Sequence, residues 1–208
     1  MTDRSVCILD YGSGNIGSVF NSLKYLGINV KISNDVSVIK KSTHIILPGV
    51  GAFGDSMHKI KKKIPINVLS EEVLKNKKPF LGICVGMQVL ADKGFEHGEH
   101  AGLGWIGGNV ERLKAKILPH IGWNNITIRK NSPIVSNLNE LKDFYFLNSY
   151  AFNAKDEENI IAVTEYVDTF CSVIQKDNIF GVQFHPEKSQ KAGQLIVKNF
   201  LKYVNKGN

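Results

Sequence analysis

A cysteine, a histidine and a glutamate sit in settings where they could act together as nucleophile, base and orienter. The segment Gly82-Ile83-Cys84-Val85-Gly86 carries an apolar run, 79–83, straight into helix-like residues 86–91. A G-x-C-x-G corner between strand and helix is the cysteine form of the nucleophile elbow. Its glycines let the chain turn sharply, so the sulfur stands out at the end of the strand. Free N–H groups at the start of the following helix, Val85's first, favour a thiolate and can hold an oxyanion. Gln88 lies four residues on and shares Cys84's face of that helix. A nucleophilic cysteine needs a base, and the base an orienter. Gly181-Val182-Gln183-Phe184-His185-Pro186-Glu187 supplies both. An apolar strand ends at His185, Pro186 favours extended backbone there, and Glu187 falls on the same side two residues later. The elbow alone leaves a buried structural cysteine open as an alternative. Cys7 and Cys171 lie inside apolar runs and read as core.

Other motifs carry weaker chemistry. Gly12-Ser13-Gly14-Asn15-Ile16-Gly17 is a literal G-x-G-x-x-G after a strand, with Asp35 downstream. That spacing is the dinucleotide fingerprint. However, Asp10 stands where a pyrophosphate would approach, and Asp35 after Ser33-Asn34 reads as turn and N-cap chemistry. The glycine-rich segment 48–54 lacks the Lys-Ser/Thr end of a phosphate loop; it reads as a flexible loop or as backbone presenting N–H groups to an oxyanion. His97-Gly98-Glu99-His100 is not a helical metal pair and reads as a solvated loop. The lysine runs 59–63 and 75–78 accompany amphipathic helices with no interleaved aromatics, so the +7 net charge does not argue for nucleic acid.

The elements that must position these residues change character halfway. Apolar strands 6–9, 29–33, 44–47 and 79–83 alternate with helices 18–26, 68–74 and 86–91. This implies right-handed crossovers and an α/β, doubly wound, mostly parallel sheet. Residues 94–108 are glycine-rich and loop-like. Short β runs follow at 109–113, 126–129, 144–150, 160–164, 169–175 and 179–184, with 176–178 as a hairpin turn and an amphipathic helix at 190–204. They form an antiparallel β extension. With 208 residues, 43% hydrophobic and 22% charged, the expectation is one globular domain over 1–208. No apolar run approaches the roughly 18 residues of a membrane span, and the start reads as a first strand rather than a signal peptide. Three cysteines imply no disulfide framework and a reducing cytoplasm.

Taken together, Cys84 and His185-Pro186-Glu187 resemble the class I, triad-type glutamine amidotransferases, whose fold is flavodoxin-like. The resemblance spans nearly the whole chain. It includes Asp10-Tyr11-Gly12-Ser13-Gly14-Asn15, Pro48-Gly49-Val50-Gly51-Ala52-Phe53, Gly102-Leu103-Gly104-Trp105, Pro119-His120-Ile121-Gly122-Trp123-Asn124 and His185-Pro186-Glu187-Lys188-Ser189. Within the family it is most similar to glutaminase subunits that serve histidine biosynthesis. The resemblance implies Cys84 as nucleophile, His185 as base and acid, and Glu187 as orienter. It implies an oxyanion hole from the Val50 and Val85 amides, and L-glutamine held by Gly51, Gln88, Glu96 and Ser149. Asn15, Trp123, Tyr145 and Lys188 would face a (β/α)8-barrel cyclase subunit in a heterodimer. No metal or organic cofactor, nucleic acid or membrane is implied. The chain departs from the family pattern at Asn148, where histidine is usual, and more mildly at Ile121. A paralogue serving another synthase is therefore an alternative. A flavodoxin-like nucleotide module and a free cysteine hydrolase are others.

Overall fold

The computed structural model describes residues 4–12 and 14–204. Ser13 of the glycine-rich motif lies outside the described residues. Strand β1 (Ser5–Ile8), helix α1 (Ile16–Tyr25), β2 (Asn29–Ile32), α2 (Val36–Lys41) and β3 (His44–Gly49) open the chain. There follow α3 (Phe53–Lys63), α4 (Ile66–Ser70), β4 (Phe80–Cys84) and α5 (Val85–Gln88). The second half contains β5 (Lys93–Gly94), β6 (His100–Ala101), β7 (Gly108–Arg112), β8 (His120–Asn125), β9 (Thr127–Ile128), β10 (Asp143–Asn148) and β11 (Tyr150–Ala154). It closes with β12 (Ile160–Tyr166), β13 (Asp168–Lys176), β14 (Ile179–Val182) and α6 (Gln190–Lys202).

Eight strands form one sheet in the order β2-β1-β3-β4-β14-β13-β12-β9. The first five pair in parallel and the last three antiparallel. This is the α/β architecture expected, with its antiparallel extension in the same sheet. The central strands β3, β4 and β14 are buried along their whole length. Their near-continuous apolar sequences are what a strand covered on both faces requires. A single cluster of buried residues runs from Val6 to Leu201 and includes both halves. Among the described residues no helix is long and apolar enough to cross a membrane.

Several local expectations needed correction. The helix expected over 86–91 is a single short turn, α5. Beyond Gln88 its carbonyls are taken by the segment that follows: Leu103 N–H donates to Val89 O, Gly104 N–H to Ala91 O and Trp105 N–H to Leu90 O. The segment 94–108 is not all loop, because β5 and β6 pair with each other and β5 with β7 in a four-stranded sheet, β11-β7-β5-β6. The helix expected over 68–74 is α4 followed by a π-helical turn at Glu71–Lys75, where Asn76 N–H donates to Glu71 O. The segment 48–54 ends early, since Phe53 and Gly54 already belong to α3. Asp35 does occupy the N-cap position of α2, but its side chain caps nothing; Ser33 Oγ accepts the Asp35 N–H instead. The run 144–150 is two strands: β10 pairs with β8, an element without a strong sequence signal, while β11 joins the four-stranded sheet. Of the lysine run 75–78, Lys78 is largely buried, 2.7 Å from Glu72 and bonded to the Ile39 and Lys40 carbonyls.

Candidate active site

Sheet register builds the site. In the β3–β4 pair Gly49 lies opposite Cys84, so the segment leaving β3 passes beside the sulfur. In the β4–β14 pair Ile83 lies opposite Val182, which carries the chain after β14 to the same end. All these strands are parallel, so their C-terminal ends share one edge, where α/β folds place their ligands.

Cys84 has φ 54° and ψ −113°. A non-glycine residue at such angles costs on the order of 1–3 kcal/mol and persists only where its surroundings enforce it. Here they do. A Cβ on Gly86 would run into the Leu47 carbonyl, and one on Gly82 into the Gly86 carbonyl, so the elbow packs backbone to backbone. The elbow of the sequence is thus a real, strained corner. Cys84 is 3% exposed and lines a cleft of about 300 Å³. Val50, Gly51, Val85, Gln88, Glu96, Asn148 and Ser149 are among the residues that line it. Both expected oxyanion residues and all four expected glutamine residues are therefore brought together around the sulfur.

His185 follows β14, and its Nδ1 lies 2.8 Å from Glu187 Oε1 with both side chains buried. Burial disfavours the imidazolium, yet interaction with the Cys84 sulfur and the Glu187 carboxylate outweighs it and raises the His185 pKa to about 10. Nε2 makes no hydrogen bond among the described residues. It is the ring nitrogen left for the sulfur and substrate. The turn after His185 is locked to β10: His185 N–H donates to Tyr145 O, Tyr145 N–H to Ser189 Oγ, and the Ser189 hydroxyl to His185 O.

Two neighbours were not singled out as site residues from sequence. Gln183 is fully buried and donates from Nε2 to Cys84 Sγ at 3.6 Å. Ser189 ties the triad turn to β10. Gln183 sits two residues before His185 in an extended run, so strand alternation offered a signal for it; for Ser189 there was none.

Asn15, expected at a partner face, turns its side-chain amide onto the triad: it donates to Glu187 Oε1 and lies 3.4 Å from His185 Nδ1. Trp123, Tyr145 and Lys188 lie together outside the cleft. Trp123 packs edge-on to Tyr145, ring centres 6.1 Å apart, and Lys188 Nζ sits 5.3 Å over the Tyr145 ring. Glu96 Oε2 accepts the Phe53 N–H at the start of α3. In the glycine-rich motif Asp10 Oδ1 accepts the Gly12 N–H at 2.7 Å, so that amide is not free for a phosphate. Glu99 pairs with Lys93 at 2.7 Å, and among the described residues no group of three metal-ligating side chains assembles.

A strained cysteine, a histidine held by a carboxylate and a cleft edged by backbone define an amide-hydrolysing site on a parallel sheet. The chain belongs to the class-I glutamine amidotransferases, which it matches over residues 7–204. It is similar to the imidazole glycerol phosphate synthase subunit HisH 2 of Methanococcus maripaludis, at 42% identity over 95% of this chain and 98% of that protein. It is likewise similar to the imidazole glycerol phosphate synthase subunit HisH of Pelagibacter ubique, at 44% identity over 95% and 99%. The HisH of Aquifex aeolicus gives 42% over 96% and 97%. The structure of PurLQS from Thermotoga maritima has the same fold, with a TM-score of 0.75 at 18% identity over 98% of this chain and 99% of that one.

Proposed function

We propose that this chain is the glutaminase subunit of an imidazole glycerol phosphate synthase, hydrolysing L-glutamine and passing ammonia to a (β/α)8-barrel cyclase subunit in histidine biosynthesis. The observation that carries the chemistry is Cys84 on the cleft, in interaction with His185, whose Nδ1 lies 2.8 Å from Glu187 Oε1. The Cys84 thiolate attacks the side-chain amide carbon of glutamine, and the carbonyl π electrons move to oxygen. The Val50 and Val85 amides hold that oxyanion. His185, protonated at Nε2, gives its proton to the nitrogen as the C–N bond breaks and ammonia leaves. Neutral His185 then takes a proton from water, whose oxygen attacks the thioester carbon; glutamate leaves and the sulfur is freed. Glu187 holds the imidazole and stabilises its charged form. Gly51, Gln88, Glu96 and Ser149 hold the glutamine. Trp123, Tyr145, Lys188 and the surface near Asn15 meet the cyclase. The chain works as one domain, and its three free cysteines suit a reducing cytoplasm.

The test is Cys84→Ala in the assembled synthase. Glutamine-dependent synthesis falls by more than about a thousandfold while ammonia-dependent synthesis survives, since only the nucleophile is lost. Retained glutamine use would refute the triad.

A second reading, a paralogue feeding another synthase, is favoured by Asn148. It is buried in the cleft lining, and its Nδ2 donates to Tyr150 O at 3.1 Å, a structural bond that by itself suits a neutral variant in a histidine-pathway enzyme. Asparagine cannot titrate as histidine would. Complementation of a histidine auxotroph lacking its glutaminase subunit, with the cognate barrel co-expressed, separates the two: growth without histidine excludes a strict paralogue, and no growth from a partner-bound protein excludes the histidine pathway.

A further inference from the structure

The Cys84 sulfur has a neighbour that the triad does not account for. Gln183 is fully buried, and its side-chain nitrogen lies 3.6 Å from Sγ. Which end of that amide faces the sulfur follows from its partners. Tyr150 O is a carbonyl and only accepts, so the Gln88 atom 2.9 Å from it is the Nε2 amide nitrogen. That same nitrogen lies 3.0 Å from Gln183, where an acceptor is needed, which fixes Oε1 there. The NH2 end of Gln183 is left to point at the sulfur. The order is thus Tyr150 carbonyl, Gln88 amide, Gln183 amide, Cys84 sulfur.

We infer that Gln183 is a positioning residue of this reaction, donating a hydrogen bond that favours the Cys84 thiolate and holds it on the attack line. The inference rests on the glutaminase reading and deepens it. A donor to sulfur favours the charged form over the neutral one. The same relay turns Gln88 so that its Oε1, not its NH2, remains for the glutamine in the cleft. Gln183 and His185 both act on the Cys84 sulfur, Gln183 as a neutral donor and His185 as the titrating base.

The experiment follows the pH profile of Cys84 alkylation by iodoacetamide in the full chain, read by mass spectrometry on the Cys84 peptide, for wild type, Gln183→Met and Gln183→Glu. Met keeps the volume and removes the donor. Glu keeps the acceptor towards Gln88 and puts an oxygen where the donor stood. Alkylation near neutral pH slows about tenfold for Met, which lacks the donor, and slows further for Glu. Turnover with glutamine falls in both variants, with KM changed less than kcat. An unchanged profile in either folded variant overturns the inference, as does a loss of turnover confined to KM. Should Met unfold the chain, the Glu variant alone decides. Failure of the glutaminase reading is distinct: it would appear as glutamine use surviving Cys84→Ala.

Discussion

Glu187 separates the roles of base and orienter at the scale of single residues. It touches the imidazole and Asn15, not the cleft lining. Glu187→Gln therefore lowers turnover and leaves the glutamine dissociation constant nearly unchanged; a large rise in that constant at unchanged turnover contradicts the assignment. The same substitution has a second signature. His185 is raised above its ordinary value of 6.5 to about 10. Its stabilising contribution is complete below about 6.5 and is lost as pH rises through the folded value. With the carboxylate gone that alkaline loss begins at lower pH, which melting curves from pH 7 to 10 would register. Asn15, from the loop before α1, donates to the same Glu187 oxygen, Oε1, that His185 Nδ1 contacts.

At the scale of elements, the sheet and the last helix share a histidine. His44, at the start of β3, is 1% exposed. Its Nε2 lies 3.1 Å from Tyr203 O beyond α6, its ring packs edge-on to Phe200, and Thr43 Oγ1 lies 2.9 Å from Nδ1. Burial lowers its pKa to about 4. The unfolded chain takes up a proton near 6.5 and the folded chain does not, so this stability is present above 6.5 and lost as pH falls through 4. The loss amounts to about 3 kcal/mol at most, from a shift of this size. In His44→Gln the acid limb of stability between pH 6.5 and 4 flattens relative to wild type. Equal limbs in equilibrium unfolding would show that His44 stays neutral in neither state or both. The short α5 belongs to this scale as well: the carbonyls beyond it accept N–H groups of residues 103–105 in place of a further helical turn.

The whole molecule adds a partner to the site. The exposed Trp123, half exposed at 50%, the exposed Ile121 and Leu147, and the Lys188–Tyr145 contact form a face beside the cleft, on β8 and β10. The segment leaving β3 includes Gly51 at φ +103°, a conformation a side chain rarely adopts. The glycines of this segment allow a peptide orientation with its N–H turned away from the cleft. A synthase that binds the productive orientation better shifts the population towards it. The free subunit accordingly hydrolyses glutamine slowly, and the partner with its ligand accelerates it about a hundredfold or more, the scale set by one misplaced oxyanion donor. Equal single-turnover rates with and without partner would exclude this. Replacing Trp123 by alanine weakens the acceleration by weakening assembly, readable as a higher partner concentration for half-maximal rate.

Local chemistry made the candidate site residues legible in the sequence. G-x-C-x-G and His-Pro-Glu are contiguous, and the backbone constraints of glycine and proline act on their immediate neighbours. The alternation of apolar runs with helical spacing likewise announced the α/β sheet, because burial on both faces is written residue by residue. What the sequence by itself did not determine is which segments meet. That Gln183 touches Cys84 depends on β14 lying beside β4 in a particular register, and that Asn15 reaches Glu187 depends on the loop before α1 closing over the turn after β14. The break at Ser149, which sends β10 and β11 to different sheets, has no local signal either. Such pairings follow from long-range burial and loop closure, whose free energies are sums over the whole chain. Only the folded tertiary structure settles them.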